Sequence, residues 1–279
     1  VSDVKDTGAS DASYIEVHGT KLEVVRRGQG RPILFLHPAI GLDPHAPVID
    51  MLAQGGDVIA PSHPGFGRSS KAKHVTTVDD ISYIYLDLIE QLDLRDIVLV
   101  GVSLGAWIAA AISTKTCERI GHVILADPLG IKLGGADEAD IANMFMLPPA
   151  DFDRLAFADV ANAPGNWADK DPEEARIAAR NREMTVQVGW LPYMYDPKLR
   201  SRLHRISCPT LLLWGEQDRV VSKSYVRGFG EALPNASLKT IPDAGHYPHI
   251  EKPRTFSSAV LSFVSDSAIQ TSTVETLLP

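Results

Sequence analysis

Short apolar runs alternate with helix-like segments along most of this chain, and that alternation limits its fold more than any other feature. Tyr14–Val17 and Lys21–Arg26 have the two-residue period of strands, with His18-Gly19 suited to a hairpin turn between them. Pro32–Leu36 (PILFL), Asp57–Ala60 (DVIA), Ile97–Val100, His122–Ala126, Thr210–Trp214 and Ser237–Ile241 are further strand candidates, several apolar enough to be buried on both faces. Thr77 can cap a helix running to Leu94, with Asp79 and Asp80 in its first turn and Ile81, Ile84, Tyr85, Leu88 and Leu92 on one face. Ala106–Ser113, Lys223–Ala232 and Pro253–Val264 complete the helices, and the stretch after Asp266 is expected to be loosely ordered. Strands and helices in this order make a parallel sheet covered on both faces, an α/β fold.

One stretch interrupts the alternation. From Gly130 to Arg205 no run reads as a strand, and four of the five methionines (Met144, Met146, Met184, Met194) gather there with Phe145, Trp167, Trp190, Tyr193 and Tyr195. It reads as a helical insertion, which divides the chain into a core domain, 1–130 and 206–279, and a helical subdomain, 131–205. No internal repeat is present, so solenoids and propellers are set aside.

The chemistry concentrates at Gly101-Val102-Ser103-Leu104-Gly105, directly after a strand and directly before a helix of small residues. A serine on so sharp a turn needs small neighbours, and the turn lifts its hydroxyl clear of the sheet beside a helix N-terminus that favours negative charge. The hydroxyl becomes a nucleophile only with a base to take its proton and a third group to orient that base. Both partners lie downstream, each on a loop after a strand: Asp218 in Gly215-Glu216-Gln217-Asp218, and His246 in Gly245-His246-Tyr247-Pro248. Asp127, after another strand, is the alternative acid, and is otherwise a capping residue before Pro128.

Other readings are excluded by what the chain lacks. His249 follows His246 by three residues, but Pro248 intervenes and neither an HExxH nor an HxHxDH pattern occurs, so a surface or packing role is expected of it and no metal site. Gly65, Gly67 and Ser69 lack the lysine of a phosphate loop. Among 279 residues, 44% are hydrophobic and 22% charged, the balance of a soluble protein with a sizeable core. No apolar run approaches the ~18 residues of a membrane span. The net charge of −8, with scattered Lys and Arg, makes nucleic acid and anionic membranes poor partners. A small-molecule substrate is expected, no cofactor is implied, and a homodimer is allowed.

Two cysteines, Cys117 and Cys208, exclude a disulfide framework; neither a structural bridge nor a zinc or redox role is expected of them. Val1 to Ser13 is polar, without a basic region followed by an apolar one. It does not have the pattern of a secretory signal, so a reducing cytoplasm is the expected compartment.

Five motifs in register resemble the α/β-hydrolase fold superfamily, and within it the capped serine hydrolases. They are His37-Pro38, Pro64-Gly65-Phe66-Gly67-Arg68-Ser69, the Gly101–Gly105 turn, Gly215–Asp218 and Gly245–Pro253, spread over a likeness from about Tyr14 to Val264. The resemblance implies a mostly parallel sheet of about eight strands with a helical cap inserted after the sixth. It implies Ser103 as nucleophile, His246 as general base and then acid, and Asp218 as the orienting carboxylate. The oxyanion hole would use the backbone N–H of Leu104 and one from the loop after the third strand. Relatives usually begin that loop His-Gly; here Pro38 has no N–H, which leaves Ala39 as the second donor. His37 would brace this loop. His37, Trp107, Met144, Phe145, Met146, Trp190 and Met194 are the candidates to line the pocket under the cap.

Serine at the turn argues for attack on a carbonyl, since dehalogenase and epoxide-hydrolase relatives carry aspartate there. The leading expectation is hydrolysis of a carboxylic ester or lactone of a small to medium, mostly apolar substrate. The runner-up is cleavage of a carbon–carbon bond in a ring-cleavage product, a vinylogous diketone; such relatives typically carry tryptophan after the histidine, where this chain has Tyr247-Pro248. A ligand-binding or receptor protein with little turnover is the reading from another class.

Overall fold

The computed structural model describes residues 13–275 apart from Pro44, Ala136 and 166–168; the N-terminal stretch before Ser13, the segment after Glu275 and Trp167 lie outside the described residues. Eight strands form one sheet: β1 (Ser13–Val17), β2 (Thr20–Arg27), β3 (Pro32–Leu36), β4 (Asp57–Pro61), β5 (Ile97–Val102), β6 (Ile120–Ala126), β7 (Thr210–Gly215) and β8 (Ala236–Ile241). Their spatial order is β1-β2-β4-β3-β5-β6-β7-β8. The β1–β2 and β2–β4 pairs are antiparallel and the remaining five pairs parallel. The β1–β2 hairpin turns at His18 and Gly19, both at positive φ (44° and 79°), the geometry a two-residue hairpin requires.

Alternation along the central strands divides the core. In β5, Ile97 and Leu99 join the larger apolar cluster with helices α2 (Val78–Gln91) and α3 (Leu104–Lys115), whereas Val98, Val100 and Val102 face the opposite layer. That second layer rests on α1 (Pro47–Leu52) and α9 (Pro253–Glu275), through Val48, Ile49, Leu52, Phe256 and Val260. Helix α2 starts as its sequence dictates: the Thr77 side chain accepts from Asp80 N, and the Asp80 carboxylate accepts from Thr77 N. Helix α9 continues to Glu275, so the segment after Asp266, expected to be loosely ordered, is helical that far.

Between β6 and β7 lie α4 (Pro149–Ala156), α5 (Pro172–Gly189), α6 (Leu199–Arg202) and two short 3-10 turns, with no strand of the sheet among the described residues. Two isolated bridges, Gly130–Tyr195 and Ile141–Val221, are the β-type pairings recorded there. Helix α5 is tied to the core by polar contacts. Asn181, buried, donates from Nδ2 to Ile40 O (3.0 Å) and accepts from Gly67 N–H (2.8 Å), so one side chain links the loops after β3 and β4. Arg180 donates to Gly65 O (2.8 Å) and Ser69 O, and Gln187 to Val75 O (2.6 Å). α7 (Lys223–Glu231) and α8 (Pro248–Glu251) complete the element list.

Candidate active site

Ser103 stands between β5 and α3 with φ 55° and ψ −113°, a left-handed conformation that costs an L-residue ~1–3 kcal/mol. Surrounding contacts hold it there: its N–H donates to Ala126 O (2.9 Å), and its carbonyl accepts from Ala106 N and Trp107 N (both 3.1 Å). The flanking glycines are required by close approach. A Cβ on Gly105 would lie 2.0 Å from Leu36 O, and one on Gly101 would lie 2.3 Å from Gly105 O. Thus α3 can begin against the end of β3 only where side chains are missing.

The loops after β7 and β8 bring in the partners. Glu216 N donates to Ile241 O (3.0 Å) and Gln217 N to Ala244 O (2.8 Å), which locks the two loops together. His246 N donates to Ala156 O at the end of α4 (2.7 Å), and Gly245 N to the Glu251 carboxylate (2.6 Å). The outcome is a continuous chain of hydrogen bonds. Ser103 Oγ and His246 Nε2 are 2.8 Å apart, and His246 Nδ1 is 2.8 Å from Asp218 Oδ2. A carboxylate can only accept, so Nδ1 carries the ring proton and Nε2 faces the serine hydroxyl as acceptor. Asp218 Oδ1 accepts from Val220 N (2.7 Å) and Val221 N (3.1 Å), which fixes the carboxylate. All three side chains are buried.

Asp127 does not occupy the acid position. Its Oδ1 accepts from Gly215 N (3.0 Å) across the β6–β7 boundary, its Oδ2 has no partner, and it caps no helix. Burial, and then the Asp218 charge, push its pKa well above the ordinary carboxylate range, so it resists ionisation beside Asp218. One ligand atom from each of Asp127, Asp218 and His246 falls within 4.8 Å of the others. Both ring nitrogens of His246 and both oxygens of Asp218 are already engaged, which leaves Asp127 Oδ2 as the free donor of that group.

The loop after β3 rests on a buried imidazole pair. His37 and His63 stack with ring centres 3.7 Å apart. His37 Nδ1–H donates to Pro38 O (2.7 Å), and His37 Nε2 accepts from His63 N–H (2.9 Å). His63 Nε2–H donates to His37 O (2.9 Å) and His63 Nδ1 accepts from Tyr85 O–H (2.5 Å). Every ring nitrogen is satisfied with both rings neutral, and burial holds the His37 pKa down at about 4. His63 and Tyr85 escaped notice in the sequence because His63 lies 26 residues beyond His37 and only the folded sheet stacks them.

In front of Ser103 is a small cavity with about 10 Å³ open to a water's centre, room for roughly one water molecule. Ala39, Ser103, Met144, Met194 and His246 line it, as do Leu129, Ile141, Ala142, Phe152, Tyr193, Val220 and Tyr247. The other pocket candidates lie elsewhere. His37 is fully enclosed by its loop, and Trp107 is pressed beneath Gly130 on α3. Phe145 packs edge-on against Trp190 and Tyr193, Met146 is 76% exposed, and Trp190 is 49% exposed. Composition placed Phe145, Met146 and Trp190 in the insertion but could not give their directions. His249 is a packing residue, as expected, against Phe35, Tyr247 and Phe256. Beyond the wall formed by Ile141, Ala142 and Val220 lies a surface cleft of about 760 Å³, lined also by Glu138, Asp140, Arg219 and Tyr225.

Comparison with known proteins agrees with this fold. The model of the alpha/beta hydrolase family matches residues 33–259. The dihydrolipoyllysine-residue acetyltransferase component of the acetoin cleaving system from Cupriavidus necator is 25% identical over 91% of this chain and 70% of its own length. The 2-hydroxy-6-oxo-6-(2'-aminophenyl)hexa-2,4-dienoic acid hydrolase of Metapseudomonas resinovorans is 26% identical, over 93% of this chain and 94% of its own. Among solved structures, a bacterial membrane phospholipase A superposes with TM-score 0.72 at 23% identity, over 91% of this chain and 86% of that one.

Proposed function

The chain belongs to the alpha/beta hydrolase family, and on that premise we propose that the protein is a serine hydrolase cleaving a carboxylic ester or lactone of a small to medium, mostly apolar substrate. The observation that carries this reading is the hydrogen-bonded chain from Ser103 through His246 to Asp218, both links at 2.8 Å. His246 takes the hydroxyl proton as Ser103 Oγ attacks the carbonyl carbon, and Asp218 stabilises the imidazolium that forms. The developing oxyanion lies between Leu104 N–H, on the first residue of α3 and so without an intrahelical acceptor, and Ala39 N–H on the loop after β3. His246 then protonates the departing alkoxide, and water activated by the same imidazole releases the acid. In this reading residues 131–205 are a cap over the site. With room for about one water in the present cavity, a substrate must part the wall where Ala142 N–H donates to Val220 O (2.9 Å).

Cleavage of a carbon–carbon bond in a dienoic acid is the second reading, favoured by the likeness to the Metapseudomonas enzyme over nearly the full length of both chains. A dienoate carries a carboxylate that calls for a cationic partner, and Arg219 stands in the cleft beyond the wall formed by Ile141, Ala142 and Val220. A receptor with little turnover is the third outcome of the same test. A fluorophosphonate should give one adduct, mapped to Ser103 and abolished in Ser103→Ala, with parallel loss of aryl-ester hydrolysis. Turnover of dienoic acids alone moves the reading to carbon–carbon cleavage. A folded protein that takes no adduct, or stops after one event, is a binding protein.

A further inference from the structure

The sequence holds no cysteine motif, and neither a bridge nor a redox role was expected of its two thiols, yet the fold brings Cys117 Sγ and Cys208 Sγ to 3.2 Å. The residues are 91 positions apart, so no local spacing brings them together. Cys117 lies in the turn between α3 and β6, and Cys208 in the segment leading from α6 into β7. Backbone contacts pin both sides. Ile120 N donates to Cys117 O (3.0 Å), Val123 N to Pro209 O (3.0 Å), and Arg205 Nε to Thr114 O (2.8 Å). Closing 3.2 Å to a bond of ~2.05 Å asks each sulfur to move only about half an ångström.

We propose that Cys117 and Cys208 form a reversible thiol–disulfide pair, a modification site that ties together the two core segments leading into β6 and β7 when a disulfide oxidant is present. The two sulfurs differ in access and in acidity, which sets the order of events. Cys117 is partly exposed and Cys208 is buried. The Cys208 thiol directs its hydrogen at the Cys117 sulfur, and that pairing holds the Cys117 pKa down at about 5, while the same pairing and burial push Cys208 up. The Cys117 thiolate attacks one sulfur of a small-molecule disulfide such as oxidised glutathione, forming a mixed disulfide and expelling one glutathione thiolate. Cys208 gives up its proton and attacks the Cys117 sulfur, breaking the mixed bond and expelling the second. The protein dithiol loses two electrons and two protons, and the oxidant leaves as two molecules of glutathione.

Cys117 and Cys208 precede the N-terminal ends of β6 and β7, whereas Ser103 follows the C-terminal end of β5, so in this parallel sheet the bridge lies at the edge away from the catalytic chain. Its expected consequence is therefore on stability, because the closed loop contains β6 and the whole insertion. The folded protein is incubated with oxidised glutathione, and intact mass, peptide maps and thermal unfolding are recorded before and after dithiothreitol. A loss of two hydrogen masses, a peptide joining Cys117 to Cys208 and a rise in Tm of several degrees, all reversed by dithiothreitol, support the proposal. Cys117→Ser and, as a second folded control, Cys208→Ala should lack the joined peptide, and Cys208→Ala should stop at the mixed disulfide. Two thiols still open to alkylation, a mixed disulfide that persists on Cys117 of the unaltered protein, or a bridge that leaves Tm unchanged or lower would each overturn it. The outcome is independent of hydrolysis, so the two proposals fail separately.

Discussion

The sheet and the helical segment between β6 and β7 differ in how much of their apolar surface they bury. The central strands bury nearly every side chain, and β5 is buried along its whole length. The segment from Ile131 to Arg205 instead exposes Met146, Val160, Val186, Trp190 and Leu191, the last at 91%. It grips the core partly through directional polar contacts from Arg180, Asn181 and Gln187 to loop carbonyls and an amide. Apolar burial is non-directional and accumulates with area, whereas a hydrogen bond contributes only ~1 kcal/mol net and is lost as soon as its geometry goes. The insertion also contributes Phe152, Phe157, Met184, Met194, Leu199 and Leu203 to the larger apolar cluster, so it is joined to the sheet by both kinds of contact.

The largest expected effect lies at the junction of the two. Ser103→Ala should lower kcat by ~10⁴–10⁶-fold while thermal unfolding changes little, since the hydroxyl's single recorded bond is to His246. Retention of more than a tenth of the activity would show that the site serves another chemistry. Within the core, Gly105→Ala forces a Cβ to 2.0 Å from Leu36 O, and a loss of at least ~3 kcal/mol in urea unfolding is expected. An equivalent Ala substitution at exposed Leu191 provides the contrast, with a shift within ~0.5 kcal/mol. A large effect at Leu191 would mean that the insertion's outer face is covered by something in solution.

Acid should also act mainly on the core. Burial lowers His37 to about 4 and His249 to about 3, against ~6.5 for an exposed imidazole. Between those values the unfolded chain binds protons that the folded chain refuses. Stability is therefore fully present above pH ~6.5 and falls as pH drops toward 4, by up to ~3 kcal/mol for His37 alone. Asp127, held protonated above its usual range, works in the opposite sense, so Asp127→Asn should steepen the acid loss followed by urea titration at each pH. A flat profile from pH 7 to 4 in that variant would contradict the neutral imidazole pair.

Apart from the exposed Leu191 control, the smallest effect should be the most local. Asn181→Ala leaves Gly67 N–H and Ile40 O without their shared partner and should cost ~1–3 kcal/mol, read as faster amide exchange in α5 and in the loops after β3 and β4. Exchange spreading through β5 and β6 would show that insertion and sheet open as one unit.

How much of this was legible follows the same division. The strands and α2, α3 and α7 could be read because periods of two and 3.6 are local, and Thr77 with Asp80 marks its own helix start. Helix α1 was missed, since six residues beginning at Pro47 carry too short a pattern. Ser103, Asp218 and His246 were legible as types on loops after strands. That His246 meets Asp218 and not Asp127 was settled only by folding, which turns Asp127 toward Gly215 N. Met144 and Met194 face the cavity while Met146 points to solvent, a difference that composition does not encode.

By itself, the sequence determined the alternating strands and helices, the strained turn that needs glycines around Ser103, and the order of the three polar residues. These are short-range consequences of sterics, periodicity and charge. The tertiary structure alone decided which side chains converge: the stacked His37 and His63, the link through Asn181, the narrow cavity and the two sulfurs 91 residues apart. Convergence depends on the direction in which distant backbones are packed, and that direction comes from the sum of many weak apolar contacts rather than from any local pattern.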